Sequence, residues 1–481
     1  MKRGLVSAEN GSAATIPDMA SSKSDFSQGS IPRTILRISL PIMVAELVNV
    51  FYNLVDRMYI GHISEVGTTA LSGVGLSLPL ITVISGFASL YATGGASLFS
   101  IARGRKDTDT AQKILNTSFS MLLLTGVVIS LLLYLFLRPI LFLIGADEVT
   151  FPFAYSYFTI YLLGTVFTMI SLGLNPFINS LGFSGIGMVT ILIGAILNLI
   201  LDPIFIFTLD MGVRGAAVAT VISQFCSAAW VLRFFLKKDA VFRCTRFEID
   251  PACAKQVATL GVTGFSFKVT SALAQAVTNA MLKLYGGPMS TLYVGSMSII
   301  NSLNSVTNQP IFAVSHGAQP IIGYNYGARR FDRVFETIRF VTFATLLYNV
   351  TAFLVLELAT EPLIRFFSQD EAFILVAKRC IRIFFCGYVF MAPMQTGQNT
   401  FIGLNMPKYA FSFAVFRKIL LVIPLVILLP RMGFGVGGVF FAESCSEIIA
   451  GITCYVTMLC TVIPMIRKEK ALLAEDSGSP A

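Results

Sequence analysis

The stretch PIMVAELVNVFYNLVDRMYIG (Pro41–Gly61) sets four polar side chains, Glu46, Asn49, Asn53 and Asp56, into a run dominated by Val, Leu, Phe, Tyr, Ile and Met. Their successive spacings are 3, 4 and 3 residues. A helix turns about 100° per residue, so the four share one stripe. A carboxylate at the centre of a membrane helix costs about 2.5–3.5 kcal/mol on insertion scales, which favours placing it against a cavity or a partner. The stripe is therefore expected to line a water-accessible path, with Asp56 binding a cation. The plainer alternative is a helix end at which Asp56 reaches the headgroups near Arg57 and His62.

The surrounding composition sets the class. The chain has 481 residues, 55% hydrophobic and 13% charged, with a mean hydropathy of +0.76. Soluble domains carry about 25% charged residues. Apolar segments of membrane-spanning length recur from Ile35 to Ile466, which predicts an all-α polytopic membrane protein. Twelve spans are expected, at 34–60, 69–98, 113–137, 152–180, 185–208, 213–236, 258–284, 291–325, 335–359, 374–402, 408–430 and 436–466. Lys and Arg gather in alternate connections, as in Arg103–Lys106, Lys237–Lys255 and Arg329–Arg333. By the positive-inside rule both termini face the cytoplasm, in a multi-pass protein of the cell (inner) membrane. The net charge of +9 is thus topological and points to a lipid bilayer rather than to nucleic acid. Residues 1–32 are expected to form a disordered cytoplasmic tail, 33–236 and 258–466 two six-helix lobes, 237–257 a cytoplasmic inter-lobe loop, and 467–481 a second cytoplasmic tail.

The two lobes are read as repeats. Gly94 and Gly317 are 223 residues apart, as are Gly104 and Gly327. After a two-residue deletion, the pairs Gly182/Gly403, Pro203/Pro424 and Gly212/Gly433 are 221 apart. An even number of spans per half keeps both halves in one orientation, so the repeat is parallel. The chemistry is not duplicated with the scaffold. Asp56 corresponds to Asn279, while Asn198 and Asp202 correspond to Ile419 and Ile423.

Asn198 and Asp202 lie at i, i+4 in GAILNLILDPIFIF, immediately before Pro203. The proline removes a backbone donor and frees a carbonyl, which suits an intramembrane cation site. If Asp56 and Asp202 share one cavity, a carboxylate there can load a proton on one side and release it on the other. With Asn49, Asn53 and Asn198 nearby, the same oxygens suit Na⁺ equally well, so H⁺ or Na⁺ stays open. In the second half, Gln275, Asn279, Gln395 and Asn399, together with Glu46 and Asn49, are expected to face a shared substrate cleft. Arg417 and Lys418 are expected to snorkel to an interface, the alternative being that either pairs with Glu443 or Glu447, which lie at i, i+4 in the last span. The eight Cys form no CxxC and only two His occur, so neither a disulfide framework, a zinc site nor a metal cofactor is expected. There is no GxxxxGK[ST], HExxH or GxSxG run, so no enzyme activity is expected, and transport must draw on an ion gradient or be passive.

At this point the chain resembles the multidrug and toxic compound extrusion (MATE) family of secondary transporters, in its MepA-like branch. The resemblance rests on YNLVDRMYIG (52–61), NLILDPIFIF (198–207), GVRGAAVAT (212–220), GAQPIIGYNYGARR (317–330) and GFGVGG (433–438), in that order. It implies two six-helix lobes around a cleft, alternating access, and export of lipophilic cationic compounds in exchange for Na⁺ or H⁺. The family's cation-site motif falls on Asp56, Asn198 and Asp202. Some branches carry an acidic residue in the seventh helix, where this chain has Gln275 and Asn279. A monomer suffices, because the cleft lies within one chain. The rival reading is a lipid-linked oligosaccharide or lipid flippase of the same superfamily, for which only Arg417 and Lys418 offer intracavity cations.

Overall fold

The computed structural model describes residues 24–63, 67–237, 241–244 and 246–476, side chains of 68 and 473–476 excepted. Among the described residues the chain forms twelve principal helical rods, with a short helix, Thr360–Arg365, between the ninth and tenth. The first six are α1 (Ile31–Gly61), α2 (Gly67–Leu76, then Leu78–Gly104), α3 (Thr108–Leu143), α4 (Phe151–Leu163 and Thr165–Ser180), α5 (Ser184–Pro203) and α6 (Gly212–Leu236). The second six are α7 (Pro251–Gly286), α8 (Ser290–Thr307, then Gln309–Gly327), α9 (Phe331–Leu358), α10 (Glu371–Phe385, then Met391–Gly403), α11 (Pro407–Val415, then Ile423–Leu429) and α12 (Gly435–Asp476).

Among the described residues eight helical stretches are long and apolar enough to cross a membrane, and α4, bent by 58° near Gly164, makes a ninth. Two of the eight, Pro251–Gly327 and Pro407–Leu472, each contain two rods. The first reverses at Gly287 (φ +52°) and the second at Gly433 and Gly435 (φ +97° and +53°). These are backbone states that glycine alone enters at little cost. With α10 they give the twelve rods expected from the sequence.

Repeats and lobes coincide. A Cβ added to Gly104 would lie 2.0 Å from the carbonyl oxygen of Tyr324, and one added to Gly327 would lie 2.1 Å from that of Ile101. The 223-residue offset exchanges these two contacts, so α2 and α8 cross on the pseudo-twofold axis. Beside them, α2 meets α7 backbone to backbone: Cβ atoms on Gly94 and Gly261 would fall 2.0 Å from Val257 O and 1.9 Å from Leu90 O. The matching α8–α1 crossing is looser, because Gly317 faces the Ser39 side chain and Ile38. All of these crossings lie towards the end of the molecule that carries Arg103, Arg105, Arg329 and Arg330. At the opposite end, Gly67–Leu76 and Ser290–Thr307 pack chiefly within their own lobes. The lobes are thus joined at the basic end.

Two non-helical segments strap that end. Ser24–Ser30 leads into α1 yet binds the other lobe: Asn325 Nδ2 and Arg333 Nη2 donate to Phe26 O at 3.1 and 3.3 Å, and Arg333 Nη1 donates to Gly29 O at 3.0 Å. The Phe26 ring is buried, edge-on to Tyr324 and beneath the Arg103 guanidinium. Reciprocally, the segment leading into α7 binds α3 of the first lobe. Gln112 donates to Arg243 O at 2.6 Å and accepts from Arg243 N at 3.1 Å, while Glu248 N donates to Ser120 Oγ at 3.0 Å. The expected disordered tail over 1–32 is therefore ordered from Ser24, while 1–23 lie outside the described residues. The expected loop over 237–257 already turns helical at Pro251, where Asp250 caps the Ala252 and Cys253 amides. The second expected tail, 467–481, is helical as far as Asp476.

Candidate functional site

Two compartments lie between and beside the lobes. The central one, about 510 Å³, is lined by α1, α2, α4 and α5 of the first lobe and by α7, α8 and α10 of the second. The other, about 470 Å³, lies within the first lobe and is lined by α1, α2, α4 and α6. Asn49, Ser85 and Leu172 line both and form the wall they share.

The α1 stripe runs from one compartment into the other. Glu46 and Asn49 face the central cavity, and Asn49, Asn53 and Asp56 face the first-lobe pocket. Asn53 Nδ2 donates to Asn49 O at 2.6 Å, the i, i+4 spacing placing one above the other. Behind the pocket wall sit Asn198 and Asp202, each 1% exposed. The carboxyl groups of Asp56 and Asp202 are within hydrogen-bonding reach of each other. Two like charges at that range need a proton or a cation between them. With its amide nitrogen turned to the acid, Asn198 donates to Asp202 Oδ2 at 2.7 Å and accepts from Thr220 Oγ1 at 3.2 Å. Asp56 Oδ1 is buried without a hydrogen-bond partner, the state of an oxygen that can take a proton or ligate an ion.

The local backbone explains this meeting. Pro203 ends regular α-geometry in α5, and Ile204–Thr208 continues as a π-turn, a distortion common at functional sites. Tyr52, Tyr157 and Tyr161 surround the pair. Tyr157, Tyr161 and Thr220 drew no attention in the sequence, because aromatic and hydroxyl residues in apolar helices are ordinary. Among the described residues no cluster of three or more His, Cys, Asp or Glu could hold a metal ion. The oxygen-only set of two carboxylates, an amide and a hydroxyl fits a proton or a hard monovalent cation.

The second-half residues divide. Gln395 and Asn399 are buried at the central cavity, with Gln398 between them. Asn399 Nδ2 donates to Gln395 O at 3.0 Å, and its Oδ1 lacks a partner. Gln275 and Asn279 bond to each other at 3.2 Å on α7 and line neither compartment. The α7 residue that does reach the cavity is Lys268, one turn and more nearer the basic end, together with His316 of α8. Lys268 was detectable as the one charge between Lys255 and Lys283.

Arg417 and Lys418 do not snorkel. Arg417 is 5% exposed and its Nη2 bonds Glu443 Oε1 at 3.0 Å and Glu447 Oε1 at 2.9 Å, while Lys418 Nζ bonds Glu443 Oε1 at 2.6 Å. Consecutive residues would point about 100° apart on an α-helix. Here the π-stretch Phe416–Val422 widens the turn and brings both to α12. Inward pairing satisfies both cations at once, which an interface would not do for Arg417.

The chain is 25% identical over 384 residues to the multidrug export protein MepA of Staphylococcus haemolyticus, covering 78% of this chain and 83% of that one. It is 24% identical over 437 residues to MepA of Staphylococcus saprophyticus, covering 89% and 93%. Its fold matches the outward-facing conformation of a multidrug resistance MATE family transporter of the MOP superfamily, with a TM-score of 0.85 at 20% identity over 93% of this chain and 99% of that chain. A MOP superfamily transporter from Pyrococcus furiosus gives the same TM-score and identity over 92% and 98%. The MatE family model matches residues 41–204 and again 269–428, once in each lobe. The chain belongs to the MatE family.

Proposed function

We propose that this protein is a secondary active multidrug efflux transporter that exports amphipathic cationic compounds in exchange for H⁺ or Na⁺ by alternating access. The observation that carries the proposal is the buried Asp56–Asp202 pair, set one residue layer from the inter-lobe cavity across Asn49. Ion binding between the carboxylates pulls α1 and α5 together. Loss of the ion leaves two repelling charges, which favours a different packing of α1, and α1 also walls the substrate cavity. Ion and substrate thereby act on one helix, which suffices for coupling when each disfavours the other. The basic end, where the lobes meet backbone to backbone, is assigned to the cytoplasm by the positive-inside rule. The curated relatives named as multidrug export proteins support the substrate class.

The test is competition at equilibrium. Binding of a fluorescent lipophilic cation to the purified protein is titrated with Na⁺ at constant pH and with acid at constant Na⁺. One of the two ions is expected to weaken dye binding in the wild type, and not in Asp56→Asn or Asp202→Asn. Dye binding that ignores both ions, or competition that survives both substitutions, would remove the coupling role of the pair and favour the flippase reading.

A further inference from the structure

The central cavity has two formally charged lining residues, and each lobe supplies one. Glu46 comes from α1 and Lys268 from α7. The 223-residue offset places the counterpart of Glu46 at Val269, so Lys268 is its immediate neighbour in the repeat. The first helix of each lobe thus presents a charge at nearly the same level, and the signs are opposite. The two side chains are near enough for each charge to act on the other, while both stay open to the cavity.

A lysine midway along a membrane helix is costly unless it reaches water or a ligand. Lys268 lies halfway along α7 and projects into the cavity rather than towards lipid. Its surroundings differ from those of Glu46. Phe267 and Phe312 stand edge to face beside it, with centroids 6.4 Å apart, and His316 packs on Phe312. On the other side, Glu46 is accompanied by Asn49 and faces a cavity wall that includes Asn175 and Asn179 of α4. One pole is therefore anionic and amide-lined, and the other is cationic and aromatic.

We propose that Lys268 is a specificity-determining residue, and that the central cavity selects amphoteric aromatic molecules over cations that lack an acidic group. The amine or other cationic group binds at Glu46, and the carboxylate or equivalent anion binds at Lys268. This rests on the efflux reading above and sets the charge class within it. A simple cation gains from Glu46 but is opposed by Lys268. Adding a carboxylate at the far end turns that opposition into attraction, since both interactions act in a cavity less polar than water. The pairing also spans the lobes, so an amphoteric ligand bridges α1 and α7 while a monocation engages α1 alone.

A minimal ligand pair tests the proposal: a rhodamine with a free carboxylate and the methyl ester of the same dye. Binding by fluorescence anisotropy and efflux from proteoliposomes are measured for the full-length wild type, Lys268→Gln and Lys268→Arg. The wild type is expected to prefer the acid by about tenfold, well within what one partly screened charge contact provides. Lys268→Gln should abolish or invert the preference by strengthening ester binding, and Lys268→Arg should keep it. An acid-to-ester ratio that is the same in the wild type and Lys268→Gln overturns the role of Lys268, with the efflux reading intact provided both dyes are transported. Failure of the wild type to bind either dye overturns that reading, and this inference with it.

Discussion

Closure at the basic end should be controlled by glycine, and Gly261→Ala is the sharpest perturbation of it. The added methyl would lie 1.9 Å from Leu90 O and 2.7 Å from Leu90 C, whereas real Cβ atoms essentially never approach within 3.0 Å. The helices must therefore separate by at least about 1.1 Å (3.0 less 1.9). The obstacle is helix backbone, which cannot rotate aside as a side chain can. Overpacking of this kind costs about 1–3 kcal/mol, which converts to a population shift of about 5–150-fold away from the closed basic end. The crossing joins a helix of one lobe to a helix of the other, so the cost falls on the relation between the lobes. The assay is electron–electron distance measurement between spin labels at the exposed positions Arg105 and Lys408, one per lobe at the basic end, with the exposed Cys386 and Cys460 replaced. Gly261→Ala should move the distribution to longer distances. Gly317→Ala should do so less, because its nearest obstacle is the Ser39 hydroxyl, and Gly75→Ala, with nothing within 4 Å, should not. An unchanged distribution in Gly261→Ala would refute the argument that the α2–α7 crossing gates this end.

Two further outcomes follow from the second lobe and the straps. Arg417→Leu should destabilise the purified protein by about 3–5 kcal/mol by stranding Glu447 and part of the Glu443 interaction. Adding Glu447→Gln should recover a large part of that loss in thermal unfolding, and a double variant as unstable as the single one would contradict the pairing. Phe26→Ala should detach the Ser24–Ser30 strap, because the ring is 3% exposed and anchors the segment beneath Arg103. Amide exchange at Ser27–Gly29 should then accelerate while α8 stays protected, and unchanged exchange would show that the polar contacts from Asn325 and Arg333 hold the strap without the ring.

Much of the architecture was legible because membrane helices announce themselves by composition and length. The repeat was legible because glycines that permit backbone contact are placed by geometry and tolerate little else: the offset joining Gly104 to Gly327 reappears as reciprocal contacts across the axis. The meeting of Asp56 with Asp202 was inferable only as two separate polar stripes, since nothing in one helix states which neighbour it faces. Three features were hidden for physical reasons. Whether Gln275 and Asn279 turn to the cavity depends on the rotation of α7, which one helix does not specify, and it is Lys268 that turns there. Arg417 read more readily as an interfacial cation than as a partner of Glu443 and Glu447, because a strict α-helix cannot aim it and Lys418 alike, and the π-stretch that does so has no sequence signature. The packed strap at Ser24–Ser30 is polar and Ser-rich, and its order comes from Arg333, Asn325 and Arg103, far away in the chain.

The most direct test of the central claim is gradient-driven efflux of a lipophilic fluorescent cation from proteoliposomes, under a pH gradient alone and then a Na⁺ gradient alone. Wild type is compared with Asp56→Asn and Asp202→Asn, each shown to be folded by a monodisperse gel-filtration profile and a wild-type-like thermal unfolding midpoint. The account predicts that one gradient drives transport in the wild type and that neither does in the variants. Gradient-driven transport that persists in both variants would contradict it.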